Sequence, residues 1–166
     1  IGPGNSSSSG SSYSVGGNNQ NATFAGTILA DGVNTITKVG TGNWTLSGAN
    51  TYSGGTVASG GTLTVNNTTG SGTGSGSVTV NSGATLAGTG IVSGTTTINS
   101  GGTLAPGSGG IGTLTINNSL NLAAGSTTRV EINATTATKD LVDASGALTY
   151  GGTLIVTNLG GSLVNG

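Results

Sequence analysis

A short phrase recurs every 18 residues in the middle of this chain: GSVTVNSGATLAGTG from Gly76, GTTTINSGGTLAPGS from Gly94, and GTLTINNSLNLAAGS from Gly112. Val80, Ile98 and Ile116 fall in register, as do Asn81, Asn99 and Asn117, and Leu86, Leu104 and Leu122. A unit this short cannot enclose an apolar face by itself and must stack on its neighbours to make a core. Within the phrase, Leu114 and Ile116 alternate with Thr113 and Thr115, the period of a strand buried on one face. Stacked copies then pair in parallel about 4.8 Å apart. Each buried aliphatic contributes about 1.5–3 kcal/mol. The Asn-Ser-Gly that follows each strand suits a tight corner, and stacked asparagines bond one another along the axis. The expected fold is all-β, a single-domain β-solenoid, specifically a right-handed parallel β-helix.

Composition narrows the functional classes. The 166 residues contain no Cys, Met or His, only 4% are charged, and 35 are glycine. The alternation is too regular and the charge too low for a disordered chain, and the glycines keep no collagen-like three-residue period. A net charge of −1 without a basic cluster argues against a nucleic-acid partner. Without His or Cys, a Ser-His-Asp or Cys-His nucleophile and a His/Cys zinc site are impossible. No cofactor is expected, no apolar run is long enough to span a bilayer, and no signal peptide opens the chain.

Residues 1–20 read as a Gly/Ser-rich lead or linker in which only Ile1, Tyr13 and Val15 offer anchors, and residues 21–166 read as the solenoid. Thr68 to Ser77 is expected to bulge from a corner. The 16 residues from Ile116 to Ile132 suggest a shortened turn, and residues 134–143 are expected to cross between turns. The terminal SLVNG reads as the start of a further phrase.

The run Thr37-Lys-Val-Gly-Thr-Gly-Asn-Trp-Thr-Leu-Ser-Gly-Ala-Asn-Thr-Tyr-Ser-Gly-Gly-Thr56, followed by GGTLTV, resembles the autotransporter-associated β-strand repeat, also called the passenger-associated transport repeat. Downstream, LAPGSGGIGTLTINNSLNLAAGSTTRVEIN and KDLVDASGALTYGGTLIVTNLGGSLVNG are similar to the passenger region that commonly follows that repeat, so the resemblance covers residues 21–166. It implies an extracellular or cell-surface bacterial protein in which a β-helix stalk serves passenger folding or presentation. It supplies no catalytic residues.

Asp31, Glu131, Asp140 and Asp143 are the carboxylates; Asp140 and Asp143, beside Lys139, are an acid/base or cation-binding pair on spacing alone, against the default of a solvated corner. Calcium-binding solenoid repeats place Asp in each turn, whereas these turns carry Asn and Ser. Trp44, Tyr52 and Tyr150 are the candidates for a sugar platform, with core packing favoured for Trp44. The sharpest surface hypothesis is a ligand face of stacked threonines, Thr62/Thr64, Ser77/Thr79, Thr95/Thr97 and Thr113/Thr115, interrupted by Arg129 and Glu131, which resembles the water-ordering face of ice-binding solenoids. Against it stands the ordinary preference of threonine for exposed strands. No catalytic, cofactor or metal residue is assigned. The expected role is a structural scaffold, with self-association through open ends into fibres; glycan or cell-surface adhesion and ice binding are the alternatives.

Overall fold

Strands form wherever aliphatic residues alternate with threonine, and glycine-rich corners turn the chain from one strand to the next. The computed structural model describes residues 10–30, 33–107 and 109–163, and among them the regular structure is all strand. One parallel sheet stacks Ser12–Val15, Thr35–Lys38, Thr56–Ala58, Val78–Val80, Thr96–Ile98, Leu120–Leu122 and Leu148–Tyr150, in that order. A second stacks Ala22–Phe24, Asn43–Leu46, Gly61–Val65, Ala84–Gly88, Thr103–Pro106, Thr127–Asn133 and Thr153–Asn158. The short strand Thr138–Lys139 folds back antiparallel on Ile132 and Asn133. The third sheet, Ile91–Val92, Thr113–Ile116 and Leu141–Ala144, exists only in the later turns. Each turn thus adds one strand to each of the first two sheets, which makes the chain a β-solenoid.

The interior is a set of columns running along the axis. On the first sheet Ala58, Val80, Ile98 and Leu122 sit one on the next. On the second, Trp44, Leu63, Leu86 and Leu104 do the same, with Leu46 and Val65 alongside. All of these side chains are buried. Outward positions are mostly threonine, as a half-buried pleated surface favours.

Where the third side has no strand, buried amides close it. Asn50 Oδ1 accepts the Ile28 N–H at 2.7 Å while its Nδ2 donates to the Gly72 carbonyl at 2.6 Å, so one side chain ties three successive turns. Asn67 Oδ1 likewise accepts the Ile91 N–H at 2.9 Å. Such bonds satisfy backbone groups that a regular ladder would otherwise pair. The Thr68 to Ser77 stretch does not bulge outward throughout, because Ser71 to Gly74 is buried. Ser71 Oγ donates to the Gly74 carbonyl at 2.6 Å, and a Cβ on Gly72 would lie 2.6 Å from Val65 Cγ1. The absence of side chains at these glycines lets backbone take the place of a strand.

Three expectations about register and one about where the stack begins are corrected. The 18-residue step holds between Val80 and Ile98, but the next partner of Ile98 is Leu122, not Ile116. The first strand of the phrase from Gly112, Thr113–Ile116, lies on the third sheet, where Ile116 pairs with Val92, and its second, Leu120–Leu122, returns to the first sheet. The alternation of the first fits any side of the solenoid, and the residues around the Pro106-Gly107 corner carry it one side further round. The Asn81–Asn99 bond forms at 2.9 Å, yet Asn117 is elsewhere and Ala123 follows Leu122 in the sequence. Leu104 similarly stacks on Thr128 rather than Leu122. Finally, the stack begins before residue 21, since Ser12–Val15 already pairs with Thr35–Lys38. Residues 1–9 of the expected lead, and Asp31, lie outside the described residues.

Ile98 is fully buried and Thr97 faces outward beside it. Ile98→Asp is expected to cost upwards of about 4 kcal/mol, by burying an unpaired charge, whereas Thr97→Asp stays near about 0.5 kcal/mol. Urea unfolding of the two variants reads the difference directly.

Candidate functional site

Charge is concentrated where the strand Thr127–Asn133 runs past its neighbour and the chain doubles back. Asp140 is 7% exposed, and its carboxylate accepts the Gly112 N–H at 2.8 Å and the Glu131 N–H at 2.7 Å. Its own N–H donates to the Glu131 carbonyl at 2.8 Å. This clasp ties Gly112 to the second-sheet strand that carries Glu131. Asp143 does not join it: three residues on, it is exposed on the outer face of the third sheet, opposite Thr115. An odd spacing along extended chain sends the two carboxylates to different faces, so they are no acid/base pair. A shallow pocket of about 170 Å3 has Asp140, Arg129, Glu131, Ala87 and Ala105 among its lining residues. Among the described residues no group of three or more His, Cys, Asp or Glu gathers as a metal site would require.

The seven threonines of the expected ligand face are divided among three sides. Thr62 and Thr64 lie on the second sheet, Thr79 and Thr97 stack on the first with Thr95 just before its strand, and Thr113 and Thr115 are on the third. Thr64 is 3% exposed and donates to Asn43 Oδ1 at 2.8 Å. A different column is continuous: Thr62, Thr85, Thr103, Thr127 and Thr153 succeed one another on the second sheet. Its signal was the recurring Gly-x-Thr phrase GGTL, GATL, GGTL, GSTT and GGTL, at intervals too uneven to register as a repeat. The neighbouring outward column passes through Ala87, Ala105 and Arg129, so hydroxyls form one file rather than a lattice. The aromatic platform is not assembled either. Trp44 and Tyr52 are in the core, while Tyr150 is 48% exposed near the opposite end.

Two buried polar groups were not foreseen as such. Lys38 is fully buried at an inward position, and its Nζ donates to the carbonyls of Val39, Gly40 and Gly60 at 2.8, 3.2 and 3.1 Å. Burial lowers its pKa below the ordinary lysine value. The alternation of Ile36, Thr37 and Lys38 already pointed the lysine inward. Tyr52 is fully buried with its hydroxyl 2.6 Å from Thr56 Oγ1, and burial pushes its pKa up to about 12 against the opposing pull of that hydrogen bond.

These two groups, with Trp44 stacked on Leu63, fall within one segment. Residues 36–65 match the family model described as passenger-associated-transport-repeat. This segment is similar to a passenger-associated transport repeat. No curated protein matches the chain. The repeat spans two successive strands of the first sheet and two of the second, so it contains a complete rung-to-rung contact. The Lys38 carbonyl cage and the Tyr52–Thr56 pair are both internal to it. The repeat and the solenoid together fit a segment of an autotransporter passenger.

Asp140→Asn replaces an acceptor of two N–H groups with an amide that faces one of them with its own donor, an expected loss of about 1–3 kcal/mol. Asp143→Asn is expected to stay within about 0.5 kcal/mol; urea midpoints distinguish them. For Tyr52 the sign follows from a raised pKa on an acid: the folded state keeps the proton that the unfolded state has begun to lose. Stability therefore falls as pH rises from about 10 to about 12. Tyr52→Phe is expected to lose that part of the alkaline slope, measured as the difference between the two proteins' unfolding midpoints across this range.

Proposed function

We propose that this chain is a rod-forming spacer of an exported bacterial passenger, displayed outside the cell or at its surface, whose work is to hold other parts of the protein at a distance and which has no catalysis of its own. The observation that carries this is the distribution of surface chemistry. Among the described residues, the exposed large hydrophobics are Tyr13, Leu29 and Val33, all near the first turns, and residues from Leu141 to Leu163, near the last. The intervening turns present threonine, serine, asparagine and glycine. A body of this kind adds length per turn, about 4.8 Å for each rung, and offers little for a ligand to grip. The passenger-associated repeat supports export.

A second reading, end-to-end stacking into fibres, rests on the same distribution. At one end Tyr13, Val15, Phe24, Ile28, Ile36 and Trp44 surround an apolar hollow of about 360 Å3. At the other, Thr153–Asn158 has exposed residues throughout and pairs with Thr127–Asn133. Apolar ends of this kind recruit strands unless covered.

The spacer reading is tested by removing one turn. Val80 and Ile98 are register partners followed by Asn81 and Asn99, so deleting residues 81–98 joins equivalent positions. The expected result, in the exported protein that carries the segment, is a folded rod shorter by about 4.8 Å with export and the displayed activities unchanged. A folded deletion variant that loses binding or catalysis would show that the rung carries a site and is more than spacing.

A further inference from the structure

Of the two inward files of the first sheet, one runs Ile36, Thr56, Val78 and Thr96, and the other runs Lys38, Ala58, Val80 and Ile98, so that Lys38 places a charge in an otherwise aliphatic file. It stacks between Val15 of the preceding turn and Ala58 of the following one. Its ammonium has three donors, and the structure supplies three carbonyl acceptors, from Val39, Gly40 and Gly60. The first two belong to the corner that Lys38 itself enters, the third to the matching corner one turn on. None of these acceptors is a carboxylate, so the charge is held by dipoles alone. A cation placed there pays a desolvation cost that an aliphatic of similar length would avoid. Stability by itself does not account for the lysine.

Register does. The rungs here are similar in outline, with glycine at the corners and mostly aliphatic inward positions, although Thr56 and Thr96 also face inward. A slip of one residue between Thr35–Lys38 and Thr56–Ala58 would turn the apolar set outward and is excluded by burial. A slip of two residues keeps the parity, laying Ile36 over Ala58 inside and Thr37 over Ser59 outside, which packing tolerates. The Gly60 carbonyl, however, would move by about 6.6 Å along the strand. Lys38 would lose that acceptor while still buried, the costly case of an unsatisfied charged donor.

We propose that Lys38 is the register pin of the passenger-associated repeat: its ammonium, seated on the Val39 and Gly40 carbonyls, admits only the pairing that brings the Gly60 carbonyl to it. Isolated polar groups in otherwise apolar seams act this way elsewhere, trading stability for a unique pairing. The inference concerns how the turns find one another and is independent of the spacer reading.

The absence of cysteine makes a direct assay possible. Thr37→Cys with Val57→Cys reports the native pairing, since Thr37 and Val57 are register partners. Thr37→Cys with Ser59→Cys reports the two-residue slip. Each pair is refolded from urea and treated with a short thiol-bridging reagent, and bridged peptide is quantified by mass spectrometry. With Lys38 present, only the native pair is expected to bridge efficiently. In Lys38→Met the chain is expected to keep its β-sheet circular dichroism and cooperative melt, while the slipped bridge rises about tenfold or more, the factor carried by one charge-assisted bond. Ile36→Met, an apolar exchange on the same strand, is expected to leave the slipped bridge at its original level. The proposal is overturned if Lys38→Met folds with the native bridge alone, or if Ile36→Met raises the slip equally. It is overturned too if Lys38→Met fails to fold, because the lysine would then be a stability element.

Discussion

Parallel pairing of each turn with the next is the interaction on which everything else in this molecule depends. It satisfies the backbone of one turn with that of its neighbours, and it places every inward side chain on its counterpart, so burial and hydrogen bonding are settled by the same contact. Ala58, Val80, Ile98 and Leu122 are buried because they are stacked. The strands hold because those side chains are buried. Turns of different length are accommodated as long as the ladder positions meet: Val80 and Ile98 are partners 18 residues apart, Ile98 and Leu122 partners 24 apart.

The ladder leaves work for polar side chains at the corners and on the third side. Asn50, Asn67 and Asp140 each accept backbone N–H groups that no strand pairs. Lys38 does the converse, donating to carbonyls at a corner. With only seven formally charged residues in the chain, it is telling that two of them, Lys38 and Asp140, are buried and fully engaged with backbone. The outward threonines suit the pleated surface they cover. The candidate catalytic pair dissolves once the strands are in place, because Asp140 is clasped by backbone and Asp143 lies on another sheet.

Much of the fold was legible from residues alone. The threonine–aliphatic alternation fixed which side chains face inward, including Ile98 and Leu114, and the short repeat required stacking because one phrase cannot bury itself. The passenger-associated repeat was visible from Thr37 to Thr56 and its match extends over residues 36–65. The candidate site was far less legible. Thr62, Thr79 and Thr113 look equivalent in sequence yet sit on three sheets, since alternation encodes which face of a strand is inward but not which side of the solenoid the strand occupies.

That distinction marks the boundary between the two sources of information. Local pattern by itself determined strand, corner and facing, because these follow from a two-residue period and from glycine's freedom to turn. Tertiary structure alone decided partner and side: that Ile98 meets Leu122 rather than Ile116, that Asp140 is clasped while Asp143 is bare, and that Lys38 finds its third carbonyl at Gly60. The physical reason is that each depends on how many residues the intervening corners consume, a quantity set by close packing of backbone against neighbouring turns and written in no single phrase of the chain.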